Sequence, residues 1–431
     1  MRFTKIITLR FKLLFVCTTM SEKISDDQYD LIIIGGGLAG ASLACALKNS
    51  SLKIAVVEAY PINTDSQPSY DDRTVALSYG SRCIFDSMGL WSSLSPYAEP
   101  IDTIHISDRG HFGVTRLTKE QEEVEALGYV MENRRIGLQL YEDIEAADNV
   151  TLFCPARLTS LQQDEKQVSV EVQVDSKPLT LTAKLSVAAD GNNSQVMKLL
   201  AIGSSQKNYQ QVALITNVTP GKKHENVAYE RFTDTGPLAF LPMQNNRCSV
   251  VWTLTQQQAD YLYAMDESDF LQQLQDRFGF RLGQFKKVGV RQLYPLFLQS
   301  ATQMVNGRVA ILGNAAHSVH PVAGQGFNLA LRDIALLSEK IVDNLRAGED
   351  IGSAAMLQSY AAQREVDIKR VYRFTDALVK TFSNNVKAVA HMRSLSLLMV
   401  DVIPDIKHRL AVQSMGLDVG GKSRLNRGLP L

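Results

Sequence analysis

The residues best placed to do chemistry are glycines and acids. The run Gly35-Gly-Gly-Leu-Ala-Gly40 follows an Ile-rich stretch, Tyr29-Asp-Leu-Ile-Ile-Ile34, and leads into an apolar helical stretch from Ala41 to Leu47. A second apolar run, Lys53-Ile-Ala-Val-Val-Glu58, ends in an acid. In that order of strand, turn, helix and strand, Gly35 permits the tight turn and Gly37 lets backbone N–H groups approach a pyrophosphate. Gly40 lets the helix pack close to the strand. The helix N-terminus adds partial positive charge, and Glu58 can accept hydrogen bonds from a ribose. The turn predicts a dinucleotide site; alone it does not separate FAD from NAD.

Three further segments point to FAD. Arg73, in Asp72-Arg-Thr-Val-Ala-Leu-Ser78, is a candidate phosphate partner. Leu185-Ser-Val-Ala-Ala-Asp190-Gly191 reads as a buried strand ending in Asp-Gly, and strand ends are where α/β folds put ligand contacts. The third segment runs from Gly307 to Asp333. A strand at Val309–Leu312 feeds Gly313-Asn314, then a loop containing His317, His320, Gly324, Gln325, Gly326, Phe327 and Asn328, then a helix from about Asn328. This builds a second helix N-terminus, with Gly324 and Gly326 allowing close, flat approach of a ring. It suits an isoalloxazine, whose reduced form needs positive partial charge nearby.

The elements that must position these residues fit an α/β chain. The 431 residues carry 45 Lys+Arg against 45 Asp+Glu and are 45% hydrophobic. Zero formal charge leaves no long-range positive field to gather phosphates, so no nucleic-acid partner is expected. Five scattered cysteines (Cys17, Cys45, Cys83, Cys154, Cys248) lack C-x-x-C spacing, which argues against a disulfide framework or a zinc site and for a reducing, cytoplasmic compartment. No metal site is expected. Strand-like runs at Gln211–Val218, Ala239–Pro242 and Ser249–Leu254, with a helix at Glu267–Phe278, read as a sheet roofing a substrate pocket. After Ile351 the chain reads as helical to about Val412. Residues 361–431 hold 12 Lys+Arg against 6 Asp+Glu, and the apolar helix at Ala388–Ile403 is either a peripheral contact with an inner membrane or partner, or plain core. The basic first 19 residues read as an extension preceding a start at Met20, or as a leader.

On these motifs the chain resembles the class A flavoprotein monooxygenases of the para-hydroxybenzoate hydroxylase superfamily. His320-Pro-Val-Ala-Gly-Gln-Gly-Phe-Asn-Leu with Asp333, Tyr229-Glu-Arg-Phe-Thr-Asp-Thr-Gly-Pro-Leu-Ala-Phe-Leu-Pro242 and Cys248-Ser-Val-Val-Trp-Thr253 are similar to the ubiquinone-biosynthesis branch, and within it to the 2-octaprenyl-6-methoxyphenol hydroxylases. The resemblance spans roughly residues 28 to 410. It implies a Rossmann-like FAD-binding domain (28–105, 130–200 and 300–345) interleaved with a β-sheet substrate domain (106–129 and 201–299). An N-terminal extension (1–27) and C-terminal helices (346–431) flank them. It implies FAD pyrophosphate at Gly35, Gly37 and Gly40, ribose at Glu58, and further contacts at Arg73, Asp190, Gly313 and Asn314. The ring would lie beside Gly324, Gln325, Gly326, Phe327 and Asn328, with Arg134 a further candidate. The chain departs from the superfamily at Asn314, where Asp is usual, at Met197, where Arg is usual and Lys198 follows, and at Ala330, where Gly is common. Asn314 also fits the methoxyphenol branch.

The implied reaction is hydroxylation of a polyprenylated methoxyphenol by O2 through a flavin C4a-hydroperoxide, with NAD(P)H as electron donor and other ubiquinone-biosynthesis proteins as candidate partners. No catalytic residue is assigned; His317 and His320 are either proton relays or caps of the loop. A sister ring hydroxylase and an inactive FAD-holding scaffold are the alternatives. A halogenase would need a Trp-x-Trp motif, which Trp91 and Trp252 do not form.

Overall fold

The computed structural model describes residues 28–62, 73–110, 112–319, 324–382, 397–417 and 423–431. The N-terminal extension, His320 and the apolar C-terminal stretch before Leu397 lie outside them. The Ile-rich run forms the strand Leu31–Ile34, buried along its length inside a six-stranded sheet. The order is Val305–Asn306, Val309–Ile311, Leu185–Ala188, Leu31–Ile34, Ile54–Val57 and Val150–Phe153, parallel throughout except for the first pair. Alternate side chains go to opposite faces. Leu31 and Ile33 pack with Leu43, Ile136 and Leu331 from the helices Leu38–Leu47, Asn133–Glu145 and Gln325–Ala347. Ile32 and Ile34 pack with Val170 and Leu181 of a three-stranded antiparallel sheet, Ala156–Gln163, Val168–Val174 and Lys177–Ala183. A strand covered on both faces must be apolar at every position, which is why this run does not alternate.

A second, larger sheet runs in the order His317–Ser318, Gln292–Ala301, Ser204–Thr219, Arg247–Thr255, Gly236–Met243, Val227–Thr233, Thr103–Asp108 and Val114–Thr118. Val227–Thr233 and Thr103–Asp108 pair in parallel. Val212, Leu214, Leu238, Phe240, Val250 and Trp252 turn to one face and pack with Leu262 of the helix Gln256–Ala264 and with Phe270, Leu274 and Phe278 of the helix Glu267–Phe278. Ala213, Ile215, Ala239, Leu241 and Val251 turn to the other face and line a cavity.

A buried ionic network locks the cavity floor. Asp333 accepts the Gly313 N–H at 3.0 Å and the His317 Nε2–H at 2.6 Å on one oxygen, and Arg364 Nε–H at 2.7 Å on the other. Arg364 also donates to Asp367 at 2.5 Å, and Arg332 donates to the same Asp367 oxygen at 2.8 Å. The turn at Gly313, the strand at His317 and the helices Gln325–Ala347 and Ala354–Phe382 are thereby one unit. Burial alone would raise Asp333, but His317, Arg364 and the hydrogen bonds from His317 and Gly313 outweigh it and hold the carboxyl down at about 2.

Removing one partner of such a network leaves buried charge uncompensated, so Asp333→Asn is expected to cost about 3–5 kcal/mol in chemical denaturation. The native carboxyl lies below its ordinary value of about 3.9, so its stabilisation is fully present above that value. It disappears as pH falls toward about 2. The wild type should therefore lose more stability over that acid window than the Asn variant; parallel pH profiles would contradict this.

Candidate active site

The cavity measures about 1350 Å³, above the roughly 300–1,000 Å³ of a single-ligand site. It has room for a large cofactor and a second molecule. At one end lies the glycine turn. Gly35 has φ +102°, and a Cβ there would sit 2.5 Å from Ala189 O. A Cβ on Gly40 would sit 1.9 Å from Gly35 O, so both positions require glycine. Gly37 caps the helix Leu38–Leu47 in extended conformation, with no side chain bonded to the first turn. The helix thus presents backbone donors toward the cavity.

Glu58 and Asp190 stand on either side of this turn. Glu58 accepts the Gly36 N–H at 2.7 Å and the Tyr60 N–H at 2.9 Å. Tyr141 donates its hydroxyl to Gly36 O at 2.6 Å, so the turn is braced from both sides. Burial pushes the Glu58 carboxyl up while these amides oppose the shift. Asp190 accepts the N–H groups of Gln195 at 2.6 Å and Val196 at 3.2 Å on Oδ2. Its Oδ1 is buried without a hydrogen-bond partner. Burial raises this carboxyl too. A glycine cradle that any Cβ would fill, free helix-terminal donors and an orphaned acceptor together fit a dinucleotide carrying hydroxyls and a pyrophosphate.

The loop at the middle of the cavity is fixed by Asn328. Its side-chain oxygen accepts the Ser78 N–H at 2.9 Å and the Ser81 hydroxyl at 2.7 Å, and its amide donates to Ala76 O at 2.8 Å and Gly324 O at 2.7 Å. Gly324, Gly326, Phe327 and Asn328 all line the cavity. Gly324 adopts the left-handed conformation, φ +60°, and starts the helix at Gln325, ahead of the expected start near Asn328. Arg73 lies over the Tyr294 ring at 5.1 Å, and both face the cavity.

Other expected contacts lie elsewhere. Gly40 acts behind the wall as the packing point of helix on strand. Gly313 also sits behind it, its N–H given to Asp333, while Asn314 beside it lines the cavity. Gln325 turns into a small space beside Arg332 and Gln413. Arg134 is a correction: helix phase turns it outward to solvent, Arg135 stacks on Tyr97 at 4.7 Å, and Asn133 is the residue on the cavity wall. Met197 is buried in the core, and its neighbour Lys198 brings a cation to the cavity instead.

Sequence reasoning missed Tyr294, Asn133 and Glu230. Glu230 lines the sheet side of the cavity, and its Oε1 is buried without a hydrogen-bond partner. The signal was present: in Ala228-Tyr-Glu-Arg-Phe232 a period of two puts Ala228, Glu230 and Phe232 on one face. Beyond them the chamber is apolar, walled by Ile104, Ile106, Ile215, Leu241 and Val251, and it ends against Leu397, Val400 and Leu410. Among the described residues no cluster of His, Cys, Asp and Glu could hold a metal.

A family model described as FAD binding domain matches residues 28–375. Ubiquinone hydroxylase UbiL of Rhodospirillum rubrum is 37% identical over 410 residues, covering 94% of both chains. The 3-demethoxyubiquinol 3-hydroxylase of Escherichia coli is 29% identical over 406 residues, covering 91% of this chain and all of that one, 100%. Among solved structures, p-nitrophenol 4-monooxygenase PnpA from Pseudomonas putida has the same fold, with a TM-score of 0.75 at 17% identity over 90% of this chain and 99% of that one. The glycine cradle therefore sits in a chain whose relatives match it almost end to end, and it belongs to the FAD binding domain family, among the class A FAD-dependent monooxygenases that include the ubiquinone hydroxylases.

Proposed function

We propose that the protein hydroxylates the ring of a polyprenylated methoxyphenol in ubiquinone biosynthesis, with O2 as oxidant and NAD(P)H as electron donor. The observation that carries this is one continuous cavity joining a dinucleotide cradle to an apolar chamber. The names of the R. rubrum and E. coli relatives, a ubiquinone hydroxylase and a 3-demethoxyubiquinol 3-hydroxylase, support a ubiquinone-pathway ring as the substrate. FAD, when bound, supplies electron transfer and the activation of O2. In this reading Gly35 and Gly37 admit the pyrophosphate, Glu58 receives the ribose hydroxyls, and Asp190 Oδ1 gains the donor it lacks. Arg73 and Lys198 contribute the positive charge that anionic cofactors need. The Gly324–Asn328 loop, held rigid by the four hydrogen bonds of Asn328, takes the flavin ring.

The sheet wall then does the work of exclusion. Ile106, Ile215, Ala239 and Val251 keep water from the reacting ring and hold it in one plane. A prenyl tail would extend toward Leu397, Val400 and Leu410. The same stretch exposes Leu398, Met399, Val402 and Ile406 beside Lys407 and Arg409, an apolar and basic surface of the kind that rests on a membrane. Among the described residues no helix is long and apolar enough to cross one. A second reading, hydroxylation at a sister ring position, is supported by the name of the E. coli relative.

Glu58→Ala is expected to weaken FAD binding about 10- to 100-fold, the worth of charge-assisted hydrogen bonds to the turn and ribose. Titration of flavin fluorescence into the apoprotein checks it, and unchanged affinity would remove Glu58 from the site. The reaction itself is tested by a mass-spectrometric quinone profile of aerobic cells lacking the gene. Loss of ubiquinone with accumulation of a polyprenylated methoxyphenol is the expected result. Accumulation of a demethoxy quinone would move the reaction to the sister position, and an unchanged profile would refute the ubiquinone assignment.

A further inference from the structure

The register of the large sheet aligns Ile106, Glu230, Ala239, Val251 and Ile215 in a single row across five strands, and every member of that row lines the cavity. Glu230 is its only polar residue. Ile106 and Ala239 flank it on either side and have no side-chain donor to offer; Arg231, next along the chain, belongs to the opposite face by the alternation of the strand. Besides the acids, the charged and phenolic groups lining the cavity among the described residues are Arg73, Arg157, Lys198, Tyr60, Tyr229 and Tyr294; Arg73 lies over the Tyr294 ring, and no charge among them shifts Glu230. The other acids lining the cavity, Glu58 and Asp190, are held by backbone amides at the cofactor end.

Glu230 is different in kind. Its Oε1 is buried and meets no donor, and burial pushes its carboxyl up to about 7, with no neighbouring charge contributing. Buried polar atoms in folded proteins nearly always have a partner, and a lone buried carboxyl lowers stability. A partner absent among the described residues and a position on the cavity wall have one common explanation, which is that the partner arrives with the substrate.

We propose that Glu230 receives the hydroxyl proton of the phenolic substrate, an inference that rests on the phenol hydroxylation proposed above. As the new ring carbon–oxygen bond forms, the phenol O–H bond breaks, its electron pair enters the ring and its proton passes to the carboxylate. When the hydroxylated carbon loses its C–H proton and the ring becomes aromatic again, the carboxylic acid returns its proton to the phenol oxygen. O2 supplies the inserted oxygen atom, its O–O bond breaking as the ring carbon–oxygen bond forms; the other oxygen takes the two electrons from NAD(P)H, the ring C–H proton and a second proton from solvent and leaves as water, so Glu230 ends the cycle as it began. A carboxyl that titrates near the operating pH is suited to both halves of this exchange.

The test uses FAD-loaded wild type, Glu230→Gln, Glu230→Asp and Glu230→Leu with 2-farnesyl-6-methoxyphenol, NADPH and O2. Hydroxylated product is followed by mass spectrometry as a function of pH, alongside flavin content and thermal melting. Glu230→Gln is expected to keep its FAD and its melting temperature, to lose about 10²- to 10⁴-fold in kcat, and to lose the limb of the pH profile that the wild type shows near pH 7. Glu230→Asp should recover part of the rate. Glu230→Leu should melt higher than the wild type yet be inactive, which separates a chemical role from a structural one. A Gln variant as fast as the wild type with the same pH limb would overturn the inference while leaving the functional reading intact. A wild-type enzyme that holds FAD but hydroxylates no phenol would overturn that reading, and this inference with it.

Discussion

Successive side chains on a strand point to opposite faces, so each sheet presents two surfaces that must both be covered. In the parallel sheet the chain supplies both covers, helices on Leu31 and Ile33 and a small antiparallel sheet on Ile32 and Ile34. In the larger sheet, among the described residues, one face is covered along its length and the other only in part, where Leu397, Ala411 and Met415 pack on Phe232, Ala228 and Met243. Val212, Leu214, Phe240 and Trp252 meet helices, while Ala213, Ile215, Ala239 and Val251 look across an open space at the glycine turn and the Gly324 loop. The cavity is the part of that second face left open. Small residues at Ala213, Ala228 and Ala239 keep it wide, and its apolar lining is what a sheet face has when it expects to be covered.

An open chamber of this size needs rigid borders, and the Asp333 network provides one of them. Its members come from the turn after Val309–Ile311, the strand His317–Ser318 and two long helices. Because Asp333 takes the Gly313 N–H, the turn is fixed from below, and Asn314 is left as the residue facing the cavity. Asn328 does the same for the neighbouring loop, tying Gly324 to the strand Thr74–Ser78. The flat, close surface offered by the glycines is therefore preorganised by polar groups, Asp333 behind the wall and Asn328 on it.

This division also explains what could be read from the sequence. The glycine turn, the strand ending in Glu58 and the strand ending near Asp190 were legible because each is a local pattern whose partners follow within a few tens of residues. The Asp333 network was not. His317, Arg364 and Asp367 are joined to it across different elements, and a helical pattern alone makes Arg332 and Arg364 look like surface charges when both are buried. Arg134 and Asn133 differ by one residue of helix phase, which a segment of asparagine and arginines does not define. Glu230 was visible as part of a motif but not as a side chain, because its meaning depends on Ile106 and Ala239 standing beside it in register.

The three acids on the cavity wall then differ by their partners alone. Glu58 is buried but accepts two backbone amides, and Asp190 accepts two on one oxygen while leaving the other free. In both, burial raises the carboxyl and the amides oppose the shift. Glu230 buries its Oε1 with no such support, so the neutral and ionised forms come close in free energy. Environments that separate carboxyls in this way are how one fold assigns them to binding or to proton transfer. The geometry separates them: Glu58 and Asp190 lie near the ends of parallel strands and accept backbone amides there, whereas Glu230 sits within a strand paired on both sides, antiparallel to Gly236–Met243 and parallel to Thr103–Asp108.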